Sequence, residues 1–196
     1  MKKGVVILLV VGAVLVGLFL WFQGNYNNMV KMDEGVQAAW SQVENVYQRR
    51  ADLIPNLVAT VKGYATHEQQ TLEGVVSARS KATQITVDAD NLTPDNLAKY
   101  QKAQGELGAA LGKLLAITEN YPELKANENF MSLQSQLEGT ENRIAVERKK
   151  FNEAARNYNT GIRQVPNNLV ASMFGFEKKP YFEAQEGAQQ APVVAF

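Results

Sequence analysis

His67-Glu68-Gln69-Gln70-Thr71 opens like the H-E-x-x-H pattern, in which two histidines one helical turn apart hold zinc and the glutamate serves as general base. Position 71 is threonine, however, and the chain has one histidine in all. The same count excludes a di-iron carboxylate bundle, which needs two Glu-x-x-His pairs. Neither a Gly-rich phosphate loop nor a nucleophile elbow with a partner histidine is present. The chain has no cysteine, so thiolate metal sites, disulfides and a lipidated cysteine anchor are all absent. No catalytic, cofactor or metal residue can be assigned, and the sequence reads as non-enzymatic. His67 and Glu68 are then ordinary polar residues near a helix seam.

Charged residues that fall on apolar stripes carry more information. Arg50 follows Val36 and Val43 at heptad spacing; Glu68 lies among Val61, Tyr64 and Leu72. Arg79 follows Leu72 and Val75, and Glu141 and Arg148 flank Ile144 and Phe151. An unpaired buried charge costs several kcal/mol, so each needs a partner. Arg50, Glu68, Arg79, Glu141 and Arg148 are therefore expected to form an ionic layer that fixes helix register. The plainer alternative is that they border the seam and reach water by snorkelling. Gly105, Gly108, Ala109 and Gly112, with Ala116, form a small-residue face. It serves either close packing within the bundle or docking of another subunit.

The elements that must position these residues are helical. No stretch shows sustained period-two alternation with β-branched residues and hairpin turns. Met29, Met32, Val36, Ala39, Trp40, Val43, Val46 and Tyr47 make one stripe at three-four spacing. Ile54, Leu57, Val58, Val61 and Tyr64 continue it past Pro55, where the chain either kinks or turns a corner. The polar stretch 86–92 breaks the pattern, and Thr93-Pro94-Asp95-Asn96 is a helix start with cap, proline and acid in place. Pro122 ends or bends that helix, and Asn127 caps the next. Phe130, Leu137, Ile144, Phe151, Tyr158 and Val165 then recur every seven residues, which predicts coiled-coil-like packing. Pro166 stops this row. Residues 167–174 form a short apolar helix with Gly175 as its stop. The segment from residue 177 reads as irregular or disordered by composition.

Residues 4–22 are an uncharged apolar run. About nineteen residues at ~1.5 Å each span ~28 Å, close to a bilayer's ~30 Å hydrocarbon thickness. A removed signal peptide would have an apolar core of roughly 7–15 residues and a small-x-small cleavage site, whereas Gln23-Gly24-Asn25-Tyr26 follows here. The run reads as an uncleaved signal anchor contacting the lipid bilayer. Lys2 and Lys3 precede it and Lys31 is the next basic residue, which puts the N-terminus inside and the body outside the cytoplasmic membrane. Ala13 and Gly17 are a small-xxx-small pair within the run. With 20 basic and 20 acidic residues the chain is formally neutral, and no nucleic-acid footprint is expected.

The strings Trp40-Ser41, Arg49 through Val58 (RRADLIPNLV), Lys62 through Glu68 (KGYATHE) and Ala78-Arg79 resemble the LemA family. So do Glu119 through Phe130 (ENYPELKANENF), Thr140 through Ala145 (TENRIA) and Tyr181-Phe182-Glu183-Ala184. The resemblance covers nearly the whole chain. It implies a bacterial protein with an N-terminal transmembrane helix and an antiparallel helical-bundle body, whose molecular function is not established. The family has been described with the N-terminus outside the cell, opposite to the lysine bias. Its genes often lie near those of membrane zinc metalloproteases or TPM-domain proteins, which implies a membrane-protein partner of that kind.

The fold expected is all-α: a short basic N-terminus (1–3), a transmembrane helix (4–22), an extended three- to four-helix antiparallel bundle (26–176) and a tail (177–196). The function expected is a self-associating scaffold, a homo-oligomer held through the small-residue face and the tail residues Tyr181, Phe182 and Phe196. An adaptor for a membrane partner is the alternative, with the apolar segment 167–176 or the tail presenting that partner. A tail resembling the family to its end is expected to dock on the bundle or on a neighbouring subunit.

Overall fold

The computed structural model describes residues 2–183. Its first helix, α1 (Lys2–Lys62), is 61 residues long and holds Pro55 in its interior. At ~1.5 Å per residue it is about 90 Å from end to end. Its first third is apolar on every side and touches almost nothing else in the chain, as a helix long and apolar enough to cross a membrane would. From Met29 onward one stripe is buried: Met29, Val36, Trp40, Val43, Tyr47, Ile54, Leu57 and Val61. The helix continues through Pro55 without ending, so the chain has no corner there. Proline has no N–H to give the carbonyl one turn back. That carbonyl, on Ala51, accepts instead from Arg79 Nε at 2.7 Å.

The chain then turns and returns as α2 (Gln69–Gln84). Residues 85–92 cross beside α1, where Trp40 Nε1 donates to the Val87 carbonyl at 3.0 Å and Gln37 Nε2 to Asp90 Oδ1 at 2.8 Å. The next helix, α3 (Pro94–Thr118), starts where the sequence places it, with Thr93 Oγ1 accepting from Asn96 N. Pro122 neither ends nor bends this helix. It is the first residue of a single turn, α4 (Pro122–Lys125), where its missing N–H has no intrahelical role. Asn127 caps α5 (Glu128–Arg163), which descends antiparallel to α1 along the whole bundle. Its heptad residues Phe130, Leu137, Ile144, Phe151 and Tyr158 are all buried. Val165 departs from the row: the helix ends at Arg163, and Val165 is 83% exposed. A short helix, α6 (Asn167–Phe174), packs on α1 and α5 and stops at Gly175, whose φ of 72° suits glycine.

The outer half of the bundle thus holds four long helices, with α1 against α5 and α2 against α3 as the main pairs. Nearer the apolar run, α1 and α5 are joined by α6 and the segment 176–183. The core forms two apolar cells. One is built around Trp40, Tyr100, Phe151 and Tyr158; the other around Ile54, Leu57, Leu107, Leu114 and Phe130.

Candidate functional site

Between the two apolar cells lies a polar layer to which all four long helices contribute. At its centre Arg50 of α1 is 3% exposed. Its Nη1 donates to Glu141 Oε1 of α5 at 2.8 Å, and its Nη2 donates to the Gln104 carbonyl at 3.0 Å and to Gln104 Oε1 at 2.6 Å on α3. Gln104 Nε2 reaches the Ala82 carbonyl of α2 at 3.4 Å. The guanidinium also lies 5.0 Å from the centre of the Tyr47 ring. Burial is the chief cause that raises the Tyr47 and Tyr100 phenols above their ordinary value, so both are neutral at physiological pH. A buried guanidinium needs this many acceptors, because desolvation otherwise outweighs the attraction of a single carboxylate.

The five charged residues singled out above do not form one layer. Arg50 and Glu141 meet as an ion pair. Glu68 sits near the far tip, where its carboxylate accepts from the Tyr121 hydroxyl at 3.2 Å. Arg79 serves the Ala51 carbonyl. Arg148 turns toward the tail: its guanidinium stands 4.7 Å from the Phe182 ring centre, and Nη2 donates to the Glu183 carbonyl at 3.0 Å. The reason is geometric. Residue 79 faces the backbone of α1 and residue 68 faces Tyr121 in the turn after α3, so neither meets an opposite charge. The polar member that completes the layer is Gln104, an uncharged residue with no sequence signal of its own.

The described part of the tail is a strap held on the bundle, although its composition reads as irregular. Residues 176–183 climb back along the bundle between α5 and α3. Asn152 Nδ2 donates to the Phe182 carbonyl at 3.0 Å, and Phe182 N donates to Asn152 Oδ1 at 2.8 Å. Asn159 repeats the device seven residues on, giving Nδ2 to the Lys179 carbonyl at 2.8 Å and taking Lys179 N on Oδ1 at 2.9 Å. Each asparagine side chain thus pairs with the strap as a neighbouring strand would. Asn159 Nδ2 also reaches the Tyr181 hydroxyl at 2.9 Å. Phe182 enters the inner apolar cell, its ring centre 5.4 Å from that of Phe151 and 6.0 Å from that of Trp40. Lys179 Nζ meets Asp33 Oδ1 at 2.9 Å. Gln101 Nε2 holds the Glu183 carbonyl at 2.8 Å. The pairs Phe151-Asn152 and Tyr158-Asn159 were legible as a repeat, since asparagine has low helix propensity and stands here twice beside a heptad aromatic. Phe196 lies outside the described residues.

The small-residue face borders an open cleft. A cavity of about 260 Å³ is lined by Arg50, Gln104, Gly105, Gly108, Ala109 and Glu141, among others. A methyl group added at Gly105 or Gly112 would meet nothing within 4 Å, and at Gly108 only Arg50 Nη1 at 3.8 Å. Close packing within this chain therefore does not account for these glycines. His67 is exposed in the turn after α1. Among the described residues, no three of His, Asp and Glu converge in a way that could hold a metal ion.

The family model described as the LemA family matches residues 39–196. The chain belongs to the LemA family. The match takes in every residue of the polar layer and the strap. Protein LemA of Metamycoplasma hominis is 24% identical over 172 residues, 87% of this chain and 75% of that protein. Magnetosome protein MamQ 1 of Paramagnetospirillum magneticum is 30% identical over 190 residues, 86% of this chain and 68% of that one. Magnetosome protein MamQ of Magnetospirillum gryphiswaldense is similar to the same degree. None of these LemA-related names is that of an enzyme, and together with the long apolar helix they make this a membrane-associated LemA protein.

Proposed function

We propose that this chain is a non-enzymatic helical scaffold that self-associates at the bacterial cytoplasmic membrane. Residues 4–22 cross the bilayer once, and the lysine bias puts the N-terminus inside and the bundle outside. The observation that carries the reading is the open side of α3. Gly105, Gly108 and Ala109 line the cleft and Gly112 is exposed one turn on; among the described residues only Arg50 comes within 4 Å of a methyl group placed at any of these three glycines. Small side chains there let a second bundle approach to backbone distance.

The test is the mass of the full-length protein in mild detergent, beside Ala109→Arg and Gly112→Arg. Both positions are exposed, so neither change disturbs the monomer's core. A defined oligomer for the natural chain and smaller species for both variants is the expected result. A monomer for the natural chain sinks the scaffold reading and favours an adaptor for a membrane partner, such as a zinc metalloprotease.

A further inference from the structure

α6 carries no charge, yet it leaves large apolar side chains in the open. Leu169 is 63% and Met173 70% exposed, and Val165, just before the helix, is 83% exposed. Leu169 and Met173 are four apart in α6, so they share one face, and Val165 is exposed in the turn that leads into it. The opposite face, with Val170 and Ala171, is buried against the bundle. An exposed apolar face on a helix whose other side is already packed has no cover among the described residues and marks a contact site.

The position of α6 says what that contact is. The Phe174 ring lies 5.7 Å from that of Phe22 and 4.8 Å from that of Tyr26. Phe22 is the last residue of the uncharged apolar run, and Tyr26 is the first aromatic beyond its end. The end of α6 therefore stands level with the point where the run would leave the hydrocarbon. Aromatic residues collect at this depth, and helices with one apolar face lie there in the plane of the headgroups. A helix of 8 residues is far too short to cross.

We propose that α6 is a second membrane contact, with Leu169 and Met173, and Val165 in the turn before them, seated in the lipid interface beside the exit of α1. This rests on residues 4–22 spanning the bilayer. It replaces a protein partner with lipid as the occupant of this apolar segment. The bundle is then held at two points.

Because the chain has no cysteine, single replacements report cleanly. Leu169→Cys and Met173→Cys are labelled with bimane in the full chain. The protein is placed in phosphatidylcholine–phosphatidylglycerol vesicles with and without nitroxide-labelled lipid. Leu9→Cys reports on the span, and Val76→Cys on α2 reports on the exposed bundle. Severalfold quenching by nitroxide lipid at 9, 169 and 173 and none at 76 is expected. Quenching at 9 with 169 and 173 behaving like 76 overturns the inference while leaving the span intact. No quenching at 9 overturns the span reading and the inference with it. Probes at 169 and 173 shielded from aqueous iodide yet untouched by nitroxide lipid mean that protein covers this face, which also overturns it.

Discussion

Arg79 Nε donates at 2.7 Å to the carbonyl of Ala51, the acceptor that Pro55 leaves without a helical donor. One residue of α2 thereby completes the hydrogen bonding of α1 across a helix interface. A proline inside a helix normally costs ~3 kcal/mol, partly through the lost bond. Here a charged donor fills that gap, and α1 stays one element.

Arg79→Leu is expected to destabilise the protein by about 1–3 kcal/mol, the range for leaving a buried acceptor unpaired. In a Pro55→Ala background, residue 55 regains an N–H for the Ala51 carbonyl, so the same change should do much less. Urea unfolding of the four proteins gives the coupling directly. Additive effects would show that the two residues act independently.

Within the polar layer, Glu141 and Gln104 should matter in the reverse of the order their charges imply. The Glu141 side chain is 49% exposed, and Glu141→Gln keeps an oxygen facing Arg50, so its effect should stay within about 1 kcal/mol. Gln104→Leu removes the acceptor 2.6 Å from a buried guanidinium nitrogen and should cost about 1–3 kcal/mol. A larger effect from Glu141→Gln in thermal melts would make the ion pair, not the neutral amide, the mainstay of the layer.

The strap should be a measurable part of the fold. Phe182→Ala empties a buried aromatic site and is expected to cost about 3–5 kcal/mol. Asn152→Ala leaves the Phe182 N–H and carbonyl unpaired and is expected to cost about 1–3 kcal/mol. In both variants limited proteolysis should cut residues 176–183 sooner than in the natural chain. Unchanged cleavage in both would show that the strap is not held in solution.

Alkaline unfolding should reveal Tyr158. Burial, followed by the nearby Asp33 and Glu177 carboxylates, pushes its phenol from 10.0 up to about 12, with Lys179 Nζ 5.7 Å from the ring centre. The folded state thus resists ionisation that the unfolded chain undergoes. A raised folded pKa gives stability that is complete below pH 10 and lost as pH climbs through about 12. Tyr158→Phe, which does not ionise, should therefore show a shallower fall in unfolding free energy between those two pH values. An identical slope would place the tyrosine in water.

Several helix starts and stops were legible from local signals, because each depends on a few adjacent residues. Thr93 and Asn127 cap α3 and α5, and Gly175 ends α6. The buried heptad row from Phe130 to Tyr158 was equally visible. Pairings between distant residues were not. Glu141 and Arg148 are one heptad apart, yet one meets Arg50 and the other the strap, since α3 and the returning tail separate their surroundings. The strap looked irregular because composition counts polar residues, whereas Lys179 and Phe182 are held through backbone groups that every residue has.

A helix that passes without a break from residue 2 to residue 62 also makes the protein a lever. The part beyond residue 22 is about 60 Å long. Membrane helices lean by roughly 20° on average, and a lean of that size would carry the far tip about 20 Å sideways. If residues 4–22 cross the bilayer as proposed, no break in α1 absorbs that lean, and a change in bilayer thickness or curvature at the base becomes a displacement the width of two helices at the top.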